Sequence, residues 1–184
     1  MDDKGVMMFY YKSRYVEIYC GDYKGTISRF DDNSVQTVCA TFPVGDVKAN
    51  IEVLNITRNP LISRGVAFWC LPKDHLEFAE VAQKEGWFLK TIIQMSVGGI
   101  VVLAKQENHI WSGEEYDSWD CSREEIVDRL ISLSSETFSY GALLDPFGGD
   151  ATVALAGKKL WRRAIVVDEH EECCEEIKKA ILGD

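Results

Sequence analysis

Residues 142–169 read Ala142-Leu-Leu-Asp-Pro-Phe-Gly-Gly-Asp-Ala-Thr152, then a helical stretch to Leu160, a short strand Ile165-Val-Val167, and finally Asp168-Glu169. Strand, glycine-bearing loop, helix, strand, acid is the order of a nucleotide-type βαβ unit. Gly148 and Gly149 let the backbone come close to a ligand, and the following helix start offers N–H donors that no earlier turn satisfies. An acid closing the second strand can accept from both ribose hydroxyls. A structural turn accounts for Gly-Gly nearly as well, so the acid at the expected distance is what points to a ligand.

Working outward, apolar runs of strand length occur at 15–20, 35–41, 65–71, 87–95, 98–104, 142–144 and 164–167. Several are continuous rather than alternating, such as Val66-Ala-Phe-Trp-Cys-Leu71, as befits strands covered on both faces. Helical segments fall between most of them. One opens at Asp74 with Glu77 three residues on and stops at Gly86; one opens on the capping box Ser122-Arg-Glu-Glu125; two more span Asp150 to Leu160 and Glu169 to Leu182. The alternation implies an α/β fold with a doubly wound, Rossmann-like sheet of about seven mostly parallel strands. The runs 87–95 and 98–104, separated only by Ser96-Val97, read as a hairpin that places one antiparallel strand in it.

With 184 residues, 46% of them apolar, the chain is expected to be one domain, 1–184. No stretch approaches the roughly 20 apolar residues of a membrane span, and Met1-Asp-Asp-Lys4 is not a secretory opening, so a cytoplasmic protein is expected. The six cysteines and three histidines show no metal-ligand spacing, so no metal is expected and the thiols read as reduced packing groups. A net charge of −10 argues against unaided binding to nucleic acid. The basic group Lys158, Lys159, Arg162 and Arg163 suits a helix C-terminus as well as it suits a phosphate. The acidic segment Gly113 to Asp120 reads as a solvated loop.

Asp145-Pro-Phe-Gly-Gly-Asp-Ala-Thr152 closely resembles the D-P-F-x-G-x-G-T segment of the DNA N4-cytosine and N6-adenine amino-methyltransferases, which binds S-adenosylmethionine. The order of the chain resembles the permuted members, in which this motif comes last. Ile18-Tyr-Cys-Gly-Asp22 resembles their first element, and the strand ending in Thr41-Phe42-Pro43-Val44 resembles the one that carries the catalytic Asp-Pro-Pro-Tyr. The resemblance covers nearly the whole chain. It implies cofactor contacts from Asp22, Asp145, Phe147, Gly148, Gly149, Thr152 and Asp168, with Asp168 on the ribose. It also implies a catalytic position at Thr41, Phe42, Pro43 and Val44.

Departures from the family pattern bear on activity. In the family the Asp orients the target amino group and the aromatic ring stacks on a flipped base; Thr41 has no carboxylate and Val44 no ring. The target-recognition region is reduced to about fifteen residues, the segment before the helix that follows it to Cys121-Ser122-Arg123, and the motif's second glycine is Ala151, a change that would narrow or distort the loop. The sequence therefore points to a degenerate relative that binds S-adenosylmethionine or S-adenosylhomocysteine as a partner subunit or sensor. Two alternatives stay open: an active methyltransferase with an unusual acceptor or a separate recognition subunit, for which Thr41, Phe42 and Asp46 are the residues to test, and a ligand-free interaction scaffold. A protein partner or self-association is compatible with exposed sheet edges.

Overall fold

The computed structural model of the chain describes residues 8–41, 45–109, 111–112, 118–119, 122–134 and 141–183. The elements are, in order, β1 (Met8–Lys12), β2 (Val16–Cys20), α1 (Tyr23–Ile27), β3 (Val35–Thr41), α2 (Val47–Ile56), β4 (Leu61–Leu71) and α3 (His75–Lys84). The chain continues with β5 (Phe88–Met95), β6 (Gly99–Ala104), β7 (Ser118–Trp119), α4 (Arg123–Leu133), β8 (Ala142–Asp145), α5 (Thr152–Lys159), β9 (Ala164–Asp168) and α6 (Glu171–Leu182). The strands form one sheet in the order β1-β2-β9-β8-β3-β4-β6-β5-β7. From β2 through β4 every neighbour is parallel, while β6 runs against both β4 and β5.

The continuous apolar runs are explained by two cores. In β4, Ala67, Trp69 and Leu71 face the layer of α1, α2 and α3, whereas Val66, Phe68 and Cys70 face the layer of α4 and α5. In β6, Val101 and Leu103 take the first side and Ile100 and Val102 the second. A strand with apolar side chains on both faces can be covered only by helices on both sides, so the three-layer architecture follows from the pattern. The smaller cluster of Val16, Ile18, Val166, Cys174 and Ile177 packs α6 over β2 and β9.

All seven expected strands are present, and the 95–99 turn makes β6 the antiparallel strand, with Met95 N donating to Gly98 O at 3.2 Å. Two short edge strands extend the sheet to nine among the described residues: β1, antiparallel to β2, and β7, parallel to β5. Strand β7 lies inside the segment expected to be loop, of which residues 113–117 and 120 fall outside the described residues. Ser122 closes the expected capping box with Glu125. Asp74 departs from expectation: it precedes α3 with φ 58°, and its side chain caps nothing. That left-handed backbone turns the carboxylate away from the helix amides, toward Lys73 at 3.9 Å.

The basic quartet is engaged within the fold. Lys158 donates to Ile181 O at 2.6 Å, Lys159 pairs with Asp128, Arg162 binds Gln36 and Gly141 O, and Arg163 reaches Glu17 at 2.8 Å. Cys20, Cys39, Cys70 and Cys174 are buried, and the described cysteines form no disulfide. No helix among the described residues is long and apolar enough to cross a membrane.

Candidate functional site

Strands β3 and β8 are adjacent and parallel, but the chain leaves β3 through α2 on one face and β8 through α5 on the other. Diverging connections leave a crevice at the carboxyl ends of such strands, the usual ligand position in an open α/β sheet. A cavity of about 280 Å³ lies there, lined by Tyr23, Ala49, Val53, Pro146, Phe147, Asp168, Glu169 and His170. Its size is near the lower end of small-molecule sites.

The loop between β8 and α5 is built by its own side chains. Asp145 is buried, and its Oδ1 accepts from Phe147 N at 3.0 Å, which folds the chain back over the strand end. Gly148 N donates to Val167 O at 2.9 Å, and a Cβ on Gly148 would stand 2.5 Å from Val166 Cγ1, so only glycine lets the loop lie flat on β9. Gly149 has φ 47° and donates its N–H to Asp168 Oδ2 at 2.9 Å. Asp150 Oδ1 then accepts from both Thr152 N and Thr152 Oγ1, which starts α5.

Ala151, in the place of the motif's second glycine, has φ 65°. The loop therefore keeps the left-handed backbone a glycine would adopt, at a cost of roughly 1–2 kcal/mol for a residue with a Cβ. The substitution is held as conformational strain in the loop.

Asp168 closes β9 and is 9% exposed. Its Oδ2 holds Gly149, and its Oδ1 accepts from His170 N at 2.9 Å and lies 3.3 Å from His170 Nδ1. Burial, with Asp168 beside it, pushes the neighbouring Cys173 thiol above its ordinary range. Tyr23 and Phe147 stand with ring centroids 5.8 Å apart at 56°, flanking the cavity, and Phe147 rests edge-on against Trp69 at 6.4 Å.

Of the seven residues expected at a cofactor, Phe147 and Asp168 line the cavity, and Gly149 is tied to Asp168. Asp145, Gly148 and Thr152 shape the loop from behind. Asp22 is exposed and caps α1, accepting from Gly25 N at 2.6 Å, and it is the next residue, Tyr23, that reaches the cavity. Thr41 is buried at the end of β3; Phe42, Pro43 and Val44 lie outside the described residues. Asp46 caps α2 by accepting from Ala49 N at 2.8 Å.

Sequence reading did not single out Tyr23, Ala49, Val53 or His170. For Ala49 and Val53 the signal was present, because Asp46 is a capping residue and Val47, Ile51 and Leu54 recur at helical spacing. Tyr23 follows Asp22 and His170 stands two residues past Asp168, and only the fold brings them to the cavity.

A parallel switch-point sheet, a D-P-F-G-G loop and an acid holding that loop define a Rossmann-like fold. The solved structures agree. TTHA0409 of Thermus thermophilus, provisionally a DNA modification methylase, is 17% identical with a TM-score of 0.74, over 92% of this chain and 94% of that chain. Another structure of it is complexed with S-adenosyl-L-methionine. M1.HpyAVI is 18% identical with a TM-score of 0.72, over 90% of this chain and 98% of that one, and a structure of its complex with SAM is also similar. The PvuII cytosine-N4-specific DNA methyltransferase is 12% identical with a TM-score of 0.73, over 93% and 89%. The fold is thus that of the DNA methyltransferases. No family profile and no curated protein sequence matches the chain.

Proposed function

We propose that this chain binds S-adenosylmethionine, or its product S-adenosylhomocysteine, in the 280 Å³ cavity, as a methyltransferase-like protein whose catalytic segment has diverged. The observation that carries the reading is Asp168. A carboxylate at the end of β9 that grips the glycine loop through Oδ2, accepts from the His170 amide through Oδ1 and borders the cavity supports a bond from its remaining Oδ1 lone pair to ribose hydroxyls. Phe147 and Tyr23 supply flat apolar surface for a purine, and the loop after β8 faces the methionine end. In this reading Asp145, Gly148 and Thr152 act through loop shape and Asp22 through the placement of Tyr23.

The chain then works as a partner subunit or sensor in the cytoplasm. Thr41-Phe42-Pro43-Val44 lacks the carboxylate that would orient a target amine, and a net charge of −10 disfavours unaided contact with nucleic acid. A protein partner, or a second copy of the chain, would supply the missing recognition surface.

Calorimetric titration with S-adenosylmethionine and S-adenosylhomocysteine tests the reading. Micromolar binding without methyl transfer to DNA, RNA or protein is the expected result. Transfer to any of these would replace it with an active enzyme of unusual acceptor. No heat at ligand near a millimolar, about −4 kcal/mol of affinity, would leave an interaction scaffold.

A further inference from the structure

The turn from β9 into α6 brings together three groups that nucleoside binding does not need as a set. The Asp168 carboxylate, the His170 ring and the Cys173 Sγ present donor atoms that all lie within 4.8 Å of one another. The ligand types, oxygen, nitrogen and sulfur, are those that borderline-soft divalent ions select, and hard ions such as Mg²⁺ and Ca²⁺ do not use thiolates. Zinc bonds of about 2.0–2.3 Å set tetrahedral ligand-to-ligand edges of about 3.3–3.6 Å. Asp168 Oδ1 and His170 Nδ1 already stand 3.3 Å apart, and closing the remaining edges takes about an ångström of movement. The His170 side chain, 76% exposed, is free to make it.

The neighbouring cysteine marks the contrast. Cys174 is fully buried, with its Sγ against Tyr19 O and Asp168 O, whereas Cys173 is partly exposed and beside the Asp168 carboxylate. Glu172 and Glu176 add negative charge around Cys173. The positive end of α6 opposes a cation, but that partial charge is small beside a carboxylate and a thiolate.

We propose that Asp168, His170 and Cys173 form a Zn²⁺ site with its fourth position open toward the cavity. Asp168 Oδ2 keeps its bond to Gly149 and Oδ1 its bond to the His170 amide, while the remaining Oδ1 lone pair turns to the ion. The same lone pair is the one offered to a ribose. Metal and nucleoside would then exclude each other, which would make the cavity sensitive to zinc.

The test is titration of the full, tag-free chain, reduced, with Co²⁺ alone as the spectroscopic probe. One equivalent should bind with a thiolate-to-cobalt charge-transfer band in the near-ultraviolet. Cys173→Ser should abolish the band, His170→Ala should weaken binding at least tenfold, and circular dichroism should show both variants folded. No band in the unmodified chain, or a band that survives Cys173→Ser, overturns the site.

A second arm rests on the cofactor reading: saturating Zn²⁺ should weaken S-adenosylhomocysteine binding at least tenfold. Unchanged affinity overturns the sharing of Oδ1. The two readings fail separately, because a chain that binds cobalt through Cys173 and no S-adenosylhomocysteine keeps the metal site and loses the cofactor, and the reverse result does the opposite.

Discussion

The Gly149 amide donates to Asp168 Oδ2 at 2.9 Å, and this bond joins the loop after β8 to the end of β9, nineteen residues further on. The acid therefore both shapes the cavity and faces it. Asp168→Ala removes the acceptor for Gly149 N and His170 N together. Gly149 is exposed, so water can replace the lost partner and the fold should lose only about 1 kcal/mol. Ligand affinity should fall further, by roughly 1.5–3 kcal/mol, or about ten- to a hundredfold. Calorimetry beside thermal unfolding separates the two effects; unchanged affinity in the variant would remove Asp168 from the ligand.

Ala151 allows a second test, in which opposing terms decide the outcome. Ala151→Gly relieves a left-handed backbone worth roughly 1–2 kcal/mol. It also removes a buried methyl, worth about 0.8 kcal/mol, and adds chain entropy to the unfolded state, worth about 0.5–1 kcal/mol. Urea unfolding should show a net change under about 1 kcal/mol. Ala151→Val has no compensating term and should cost more than about 2 kcal/mol. A large loss in the glycine variant would mean that the methyl's packing outweighs the strain.

The βαβ unit was legible because glycines, an acid and two apolar strands stand at fixed offsets, and physics ties each to a backbone role. The seven principal strands were legible because continuous apolar runs such as 66–71 have no other stable placement than between two helix layers. Strand β1 was not, since Met8 and Phe9 are about half exposed and its residues carry no burial pattern to read. The cavity wall was the least legible part. Ala49 and Val53 look like ordinary helix positions, and Tyr23 acquires a role only because Asp22 caps α1 and aims the next residue at Phe147. Asp168, His170 and Cys173 come together only through the strand-to-helix turn, so their Asp-x-His-x-x-Cys spacing matches no helix or zinc-knuckle pattern in the sequence.

Tyr23 separates ligand contact from architecture. Phe147 packs against Trp69 as well as the cavity, so its truncation would disturb both. Tyr23 is partly exposed and its ring meets Phe147 across the opening. Tyr23→Ala should weaken S-adenosylhomocysteine by about 1 kcal/mol, roughly fivefold, on the usual worth of an aromatic contact. The unfolding midpoint should move little. Equal affinity in the variant would put the purine elsewhere.

Trp69 and Asn50 make a buried pair beneath the site, with the indole N–H donating to Asn50 Oδ1 at 2.9 Å. Asn50→Leu keeps the volume and leaves that donor without an acceptor in the core. The expected cost is about 1–3 kcal/mol in urea unfolding, with Trp69 fluorescence reporting the change in its surroundings. A variant as stable as the parent would show that water reaches the indole.

Glu17 governs the acid response of the other sheet edge. It is 4% exposed on β2, between Lys12 of β1 at 2.7 Å and Arg163 at 2.8 Å, with Tyr19 Oη 3.3 Å away. Burial pushes its carboxyl up, but the hydrogen bonds and charges of Arg163 and Lys12 outweigh burial, so the group titrates below its ordinary value of 4.5. A carboxyl depressed in the folded state stabilises it above the unfolded value, and that contribution is lost as pH falls through the folded one. Both cations are about half exposed, which screens the pair and holds the expected cost of Glu17→Gln near 1–2 kcal/mol at pH 7. The difference between variant and parent should shrink steadily below about pH 4.5 in urea unfolding, because protonation gives the parent the neutral side chain the variant already has. A difference that stays constant as the pH falls would assign the cost of the substitution to packing instead of charge.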